Sequence, residues 1–184
     1  MILPIYTYGQ PVLRKEAKEI ERDYPQIHAL VDNMFETMHK ADGVGLAAPQ
    51  VGLSIRLFVI DADGIAKTYP ECKDFKRVMV NPVITQRSEE TIALEEGCLS
   101  FPGIHEKVMR PVGIQVEYMD ENFEKHDEHL EGFVARIVQH ELEHLDGHVF
   151  IDSISTIRRQ LNKGKLNNLI KGNVNCKYKI KTVK

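Results

Sequence analysis

Cysteines and long apolar runs are both scarce in this sequence, and each shortage excludes a class of protein. Only three cysteines, Cys72, Cys98 and Cys176, occur in 184 residues, too few and too scattered for a disulfide framework. No stretch approaches the ~18 apolar residues that a membrane helix needs. The N-terminus also lacks the basic flank and apolar run of a secretory signal. We therefore expect a cytoplasmic protein that makes no membrane contact.

Acidic residues are missing from the last part of the chain. From Ser153 to Lys184 there are nine Lys and Arg and no Asp or Glu, whereas residues 1–152 hold 15 basic and 27 acidic residues, a net charge of −12. The length and the lack of long biased segments predict one domain over residues 1–184. Within it, an acidic body covers about residues 1–152 and a basic extension covers 153–184.

Apolar periodicity predicts a mixture of helices and short strands. Helical spacing begins near Pro25 and recurs over residues 133–145, and Val112 to Tyr118 alternate as in a half-buried strand. Shorter strands are predicted at 54–60, 77–86 and 91–95, the second as an edge or bulged strand because it contains Pro82. Residues 65–76 have the polar composition of a surface insertion, 156–170 that of a basic helix, and 174–180 that of a terminal strand.

Metal-ligand spacing coincides with a helical pattern at residues 139–147, QHELEHLDG. Residues four apart on a helix share a face, so His140 and His144 can direct two imidazole nitrogens at one cation. Glu141, beside the first histidine, is a candidate proton carrier. Gly147 is expected to end the helix.

A third ligand is needed, because hydrolytic zinc sites hold the metal by three protein groups and leave one position for water. A thermolysin-like site takes a downstream Glu, but no Glu follows Glu143, and a metzincin-like site needs a histidine where Phe150 stands. The donor must then lie upstream, where a thiolate suits zinc or ferrous iron. Cys98 lies between a glycine and a Pro/Gly turn and is the candidate, although a lone cysteine is more often a small buried apolar residue.

Three separated motifs together carry a family resemblance: GVGLAAPQ at 43–50, EGCLS at 96–100 and QHELEHLDG at 139–147. Their order and spacing resemble those of peptide deformylases, which remove the formyl group from the formyl-methionine of newly synthesised bacterial polypeptides and release formate. Taken by itself, the first motif fits a tight packing loop about equally well. Glu143 stands where the family usually has Asp, and we expect this change to affect a contact around the metal rather than a ligand.

The resemblance implies an α+β fold in which antiparallel strands surround a central metal-binding helix, followed by a C-terminal basic helix and a short terminal strand. It implies one divalent metal ion, Fe²⁺ first and Zn²⁺, Ni²⁺ or Co²⁺ as alternatives, in a catalytic body that ends near residue 152. The implied metal ligands are Cys98, His140 and His144. The other implied roles are general acid/base for Glu141, oxyanion stabilisation for Gln50 and the N–H of Leu99, and a peptide groove lined by Val44, Gly45 and Leu46.

Two other classes remain open from the sequence. A zinc endopeptidase would use the same two-histidine helix, although its downstream ligand is missing, and a purely structural metal site would need a fourth protein ligand.

The basic extension has two interpretations of about equal weight. It can pack on the acidic body, or the cluster Arg158, Arg159, Lys163 and Lys165 can dock ribosomal RNA, where formylated nascent peptides emerge.

Overall fold

The computed structural model describes residues 1–183, which contain nine strands and four α-helices. The strands are β1 (Ile5–Tyr6), β2 (Gly45–Ala47), β3 (Leu57–Asp61), β4 (Lys76–Arg87), β5 (Thr91–Gly97), β6 (His105–Pro111), β7 (Gly113–Met119), β8 (Lys125–Glu131) and β9 (Ile180–Lys181). The helices are α1 (Ile27–Lys40), α2 (Gly132–Leu145), α3 (Thr156–Leu161) and α4 (Lys163–Ile170). No helix within these residues is long and apolar enough to cross a bilayer.

The strands form three sheets within the described residues. Five strands make an antiparallel sheet in the order β2-β3-β4-β7-β8, and β5 and β6 form a separate antiparallel hairpin. The short β1 and β9, from opposite ends of the chain, pair in parallel. This combination of antiparallel sheets and helices confirms the predicted α+β class.

The five-stranded sheet separates two helical layers. Successive side chains of a strand point to opposite faces, and on β3 Leu57 and Val59 pack with the apolar cluster that includes α1, whereas Phe58 and Ile60 pack with the cluster that includes α2. Leu57, Phe58, Val59 and Ile60 are all completely buried. Helix α2, which carries the two histidines, packs against the sheet and is buried on nearly all sides, since its residues from Val134 to Leu142 are all buried.

The ends of α2 are fixed by specific contacts. At its start the carboxylate of Glu71 accepts a hydrogen bond from the N–H of Phe133 at 2.8 Å, which satisfies a backbone donor that the helix leaves unpaired. After its end Gly147 has φ of 73°, and a Cβ there would lie 2.9 Å from the carbonyl oxygen of Arg14. Only glycine fits this left-handed, crowded position easily. The prediction that Gly147 terminates the helix is therefore confirmed.

The sequence predictions for residues 77–86 and 65–76 were each partly wrong. Strand β4 is the central strand of the sheet rather than an edge, although a bulge does separate the pairs of Val80 and Val83, at Pro82. Residues 65–76 are not simply a polar surface insertion, because Cys72 is completely buried in the cluster around α2.

The C-terminal extension also differs from its prediction. The single basic helix is divided into α3 and α4, which meet at the buried Asn162, and the terminal strand is limited to Ile180–Lys181. The helix is interrupted at Asn162, whose side chain donates a hydrogen bond to Glu106 Oε1 of the body at 2.5 Å. Lys184, one of the nine basic residues, lies outside the described residues.

Candidate active site

Three side chains that commonly bind metals meet where α2 passes the end of β5. Cys98 directly follows β5, and His140 and His144 are one turn apart on α2. One donor atom of each lies within 4.8 Å of the others, the only such group of three found in residues 1–183. Cys98 Sγ is 3.3 Å from His144 Nε2. The spacing of two histidines on one helix is thus joined by a sulfur from a neighbouring strand.

His140 is held in one orientation by a buried carboxylate. Its Nδ1 lies 2.9 Å from Oε2 of Glu96, whose side chain is only 4% exposed. A carboxylate accepts, so Nδ1 carries the proton and Nε2 keeps a free lone pair for a metal. Burial raises the pKa of Glu96, but hydrogen bonds from His140 and Arg110 outweigh it and lower the pKa to about 2. Glu96 is therefore charged at neutral pH.

Two arginines complete this buried network. Arg110 donates to Glu96 through Nε at 2.6 Å and Nη2 at 3.0 Å, and Arg136 Nη1 donates to the same carboxylate at 2.6 Å. Arg110 also makes two hydrogen bonds to Glu143, at 2.6 and 3.0 Å. Glu143 thus contacts Arg110 and is not among the three clustered donors. Glu143 is linked to His140 only through Arg110 and Glu96.

The histidines respond to their surroundings in opposite ways. Burial lowers the pKa of His140, but hydrogen bonds to Cys98 and Glu96 outweigh it and raise the pKa well above its ordinary value. Burial and the neighbouring His140 lower the pKa of His144. The site therefore favours one positive charge beside the sulfur, and a divalent cation can replace that proton. With one sulfur and two ring nitrogens, this donor set fits a metal of the zinc or ferrous type.

Glu141 is buried beside the cluster without a complete set of partners. Its Oε2 has no hydrogen-bond partner within the described residues, and its carboxylate packs against Gly45 in β2. A Cβ at Gly45 would lie 2.8 Å from Glu141 Cδ, so only glycine leaves room for this carboxylate. Burial raises the pKa of Glu141 to about 7. A carboxyl group with these properties can both accept and donate a proton near neutral pH.

Gln50 is fixed with its amide nitrogen directed at the cluster. Its Oε1 accepts from the N–H of Ala47 at 2.8 Å, while Nε2 donates to Ser100 Oγ at 3.2 Å and approaches Cys98 Sγ at 3.5 Å. Gln50 is only 1% exposed. On the facing loop, the N–H of Leu99 donates to no acceptor within residues 1–183. These two donors flank the cysteine.

The site opens into a cleft of about 440 Å³. All three motifs contribute to its lining, through Gly43, Val44, Gly45, Gln50, Glu96, Gly97, Cys98, Leu99, His140 and Glu141. Leu46 does not line the cleft; its side chain is completely buried in the cluster around α1. Alternation along β2 turns the side chain of residue 46 to the opposite side from residues 45 and 47, so Leu46 can reach a bound peptide only through its backbone.

Comparison with known proteins agrees with this geometry. A family model described as polypeptide deformylase matches residues 2–160. The chain belongs to this family. Peptide deformylases of Christiangramia forsetii and Flavobacterium psychrophilum are 47% and 44% identical to it. The alignments cover 98% and 100% of this chain and 96% and 98% of those proteins.

Solved deformylase structures share the fold over nearly the whole chain. A peptide deformylase from Legionella pneumophila has a TM-score of 0.83 at 36% identity, covering 94% of this chain and 98% of that one. One from Plasmodium falciparum has a TM-score of 0.82 at 39% identity, covering 91% and 95%. The deformylase removes the formyl group from the N-terminal methionine of nascent peptides in a metal-dependent reaction. The zinc endopeptidase class is thereby excluded.

Some residues of the site were not identified from the sequence. Glu96 lies within the second motif, but its contact with His140 depends on long-range pairing. Arg110 lies on β6, a strand not predicted because its HEKVMRP sequence has few apolar residues. Its alternation of buried Glu106, Val108 and Arg110 with exposed neighbours is the signal that could have revealed it.

Proposed function

We propose that Cys98, His140 and His144 hold the metal of this deformylase and that Glu141 moves the proton during hydrolysis. The observation that carries this proposal is the meeting of three donor atoms within 4.8 Å of one another, beside a buried carboxylate. A divalent ion held by these three residues would supply Lewis-acid chemistry that lowers the pKa of a water molecule to near neutral. Cys98 would hold it through its thiolate and the two histidines through their ring nitrogens.

Side-chain and backbone groups of the protein carry out proton transfer and stabilise the transition state. Glu141 accepts the proton of the attacking water and donates it to the leaving amine, so that formate and a free N-terminus result. Gln50 Nε2 and the N–H of Leu99 donate hydrogen bonds to the oxygen that becomes negative in the tetrahedral transition state. Each such donor contributes about 3 kcal/mol in comparable sites. Ser100 and Ala47 support this role by fixing the Gln50 amide.

The peptide is proposed to bind along β2. This strand is at the edge of the five-stranded sheet, paired only with β3 within the described residues. An edge strand leaves backbone groups that an extended peptide can pair with as an added strand. Val44 and Gly45 line the cleft there, whereas Leu46 contributes backbone only. The apolar part of the cleft receives the methionine side chain.

Cys98→Ser tests the assignment of the metal ligands. We expect this variant, purified without oxygen, to lose most of its bound metal and its hydrolysis of formyl-Met-Ala, because a serine hydroxyl is a poor ligand for these ions. Cys176→Ser is the matched control, since Cys176 lines the same cleft but is absent from the donor cluster. Full metal content in Cys98→Ser would reject the ligand set. The unformylated Met-Ala peptide should remain intact throughout.

Ferrous iron is proposed as the working metal, with zinc, nickel and cobalt as alternatives. The family resemblance implies iron, and a thiolate ligand gives an oxidant a local target. Aerobic incubation should then inactivate the iron form faster than a nickel or cobalt form. Equal half-lives in air would count against iron.

The basic C-terminal extension is proposed to dock ribosomal RNA, which places the enzyme in the cytoplasm beside its substrate. Part of its charge is used internally: Arg158 makes two hydrogen bonds to Glu106 at 2.8 and 2.9 Å, and Arg159 Nη2 donates to the carbonyl oxygens of Ile151 and Asp152. The lysines of α4 and its end are the better test, because Lys163 and Lys171 are exposed.

Charge reversal at Lys163 and Lys171 should weaken co-sedimentation with ribosomes and reduce its salt dependence. The reason is that a variant with fewer phosphate contacts releases fewer counterions when it binds. Hydrolysis of a short formyl peptide should be unchanged. The control is reversal of Lys67 and Lys73, which are also exposed but lie on a different segment. If both double variants sediment like the parent, the extension serves only to pack on the acidic body.

A further inference from the structure

A tyrosine from the C-terminal extension reaches the loop that holds Cys98. The hydroxyl of Tyr178 donates a hydrogen bond to the carbonyl oxygen of Leu99 at 2.7 Å. Tyr178 lies beyond residue 160, where the match to the family model ends. Its contact falls on the residue that follows Cys98.

In the short loop at residues 98–100, each backbone carbonyl oxygen accepts a hydrogen bond. The carbonyl oxygen of Cys98 accepts from Phe101 N at 2.8 Å, and that of Ser100 accepts from Tyr8 N at 3.0 Å. Tyr178 supplies the partner for the carbonyl between them. The Leu99 N–H shares a peptide plane with the Cys98 carbonyl, and the Leu99 carbonyl belongs to the next plane. Because hydrogen bonds hold the carbonyls of both planes, rotation about the Leu99 backbone is limited and its N–H keeps its direction.

Tyr178 is itself held on both sides. Two residues later β9 pairs with β1, and Ile5 N donates to the carbonyl oxygen of Lys179 at 2.9 Å. The tyrosine ring packs, together with Leu99, against the apolar cluster around α1. Burial raises the pKa of the Tyr178 phenol, so that the hydroxyl keeps its proton and remains a donor throughout the working pH range.

We propose that Tyr178 is a positioning residue for deformylation, acting through Leu99: it fixes the peptide backbone so that the Leu99 N–H meets the developing oxyanion. This inference rests on the role proposed for the Leu99 N–H. The C-terminal extension thereby takes part in the chemistry. The contribution of an oxyanion donor depends on its being oriented before the reaction. A hydrogen bond that fixes the Leu99 backbone therefore increases the contribution of the Leu99 N–H.

Tyr178→Phe removes the hydroxyl and keeps the ring. Complete loss of an oxyanion donor costs about 10²–10³-fold in kcat, and a donor that is present but less well aligned should cost roughly tenfold, with KM for formyl-Met-Ala unchanged. The metal content and thermal midpoint should stay close to those of the parent. Amide hydrogen exchange at Leu99 should become faster in the variant, a readout that does not depend on turnover.

Tyr6→Phe is the matched control. It also deletes a tyrosine hydroxyl that joins the N-terminal strand to the extension, through Lys181 Nζ at 3.3 Å, but it does not touch Leu99. We expect parental kcat and Leu99 exchange in this variant.

An unchanged kcat in Tyr178→Phe, whether or not KM rises, would overturn the inference, and so would a loss of metal equal to the loss of turnover. Unchanged Leu99 exchange would do so as well. A parent that bound metal but failed to hydrolyse the formyl peptide would instead refute the proposed function, and the exchange measurement would still decide whether Tyr178 holds the loop.

Discussion

Replacement of Arg110 by methionine tests how strongly the buried network supports the site. Arg110 makes four hydrogen bonds to Glu96 and Glu143, at 2.6, 3.0, 2.6 and 3.0 Å, and its side chain is only 4% exposed. Burial lowers the pKa of Arg110, but the hydrogen bonds to both carboxylates outweigh it and raise the pKa. The arginine is therefore always charged, and its loss leaves two negative groups without their shared cation.

Removing one partner of a buried ion pair costs about 3–5 kcal/mol, because the remaining charge stays desolvated. The total free energy of unfolding of a typical domain is only about 5–15 kcal/mol, so Arg110→Met should lose a large share of it. Glu96 keeps Arg136 and His140 as partners, which favours the lower end of the range. Its looser hold on His140 should also weaken metal binding about 10–100-fold.

The assay is denaturant unfolding of the metal-free protein, followed by metal titration of the folded variant. Arg77→Met is the control, since Arg77 also makes two hydrogen bonds to one glutamate, Glu128, but the two side chains are 34% and 25% exposed. Solvent screening should limit that loss to about 1 kcal/mol or less. Adding Glu143→Met to Arg110→Met should restore part of the stability. Equal losses for the two arginine variants would refute this account of the network.

Two further predictions concern other contacts around the site. Gly45→Ala should retain metal but lower kcat by at least about tenfold, because its Cβ would displace the Glu141 carboxylate and small displacements of a catalytic group lower the rate strongly. Gly64→Ala is the control and should behave like the parent, since a Cβ there meets nothing within 4 Å. Glu106→Gln should unfold about 2–4 °C lower at neutral pH. Hydrogen bonds from Arg158 lower the pKa of Glu106 below 4.5, so this difference should persist above that pH and vanish as the pH falls through the folded-state pKa. A difference that stays constant into acid would contradict the charge-based explanation.

The sequence was most informative where spacing alone determines geometry. His140 and His144 are four positions apart on a helix, and this spacing requires them to share a face wherever the helix lies. The end of α2 was predicted from Gly147, because glycine commonly follows the last turn of a helix. The third donor was a weaker inference, because nothing local brings Cys98 to α2. It was inferred from the absence of a suitable downstream ligand and from the order of the three motifs.

The parts that were missed depend on long-range partners. Strand β8 is KHDEHLE, a sequence whose polar residues give no apolar alternation, and it pairs because β7 offers a neighbouring strand. Tyr178 and Leu99 are 79 residues apart, and no local pattern could connect them. The direction of the Leu46 side chain was likewise not predictable, since the side of the sheet that β2 turns to the cleft is set by packing against α1 and α2.

Metal content and turnover of Glu141→Gln, measured on the same anaerobic preparation, test the central claim most directly. Glutamine keeps the shape of the side chain but cannot carry the proton, while the three clustered donors Cys98, His140 and His144 are untouched. We predict one metal ion per chain, as in the parent, and a fall in formyl-Met-Ala hydrolysis of about 10²–10⁴-fold. Full metal content together with parental turnover would show that Glu141 does not move the proton.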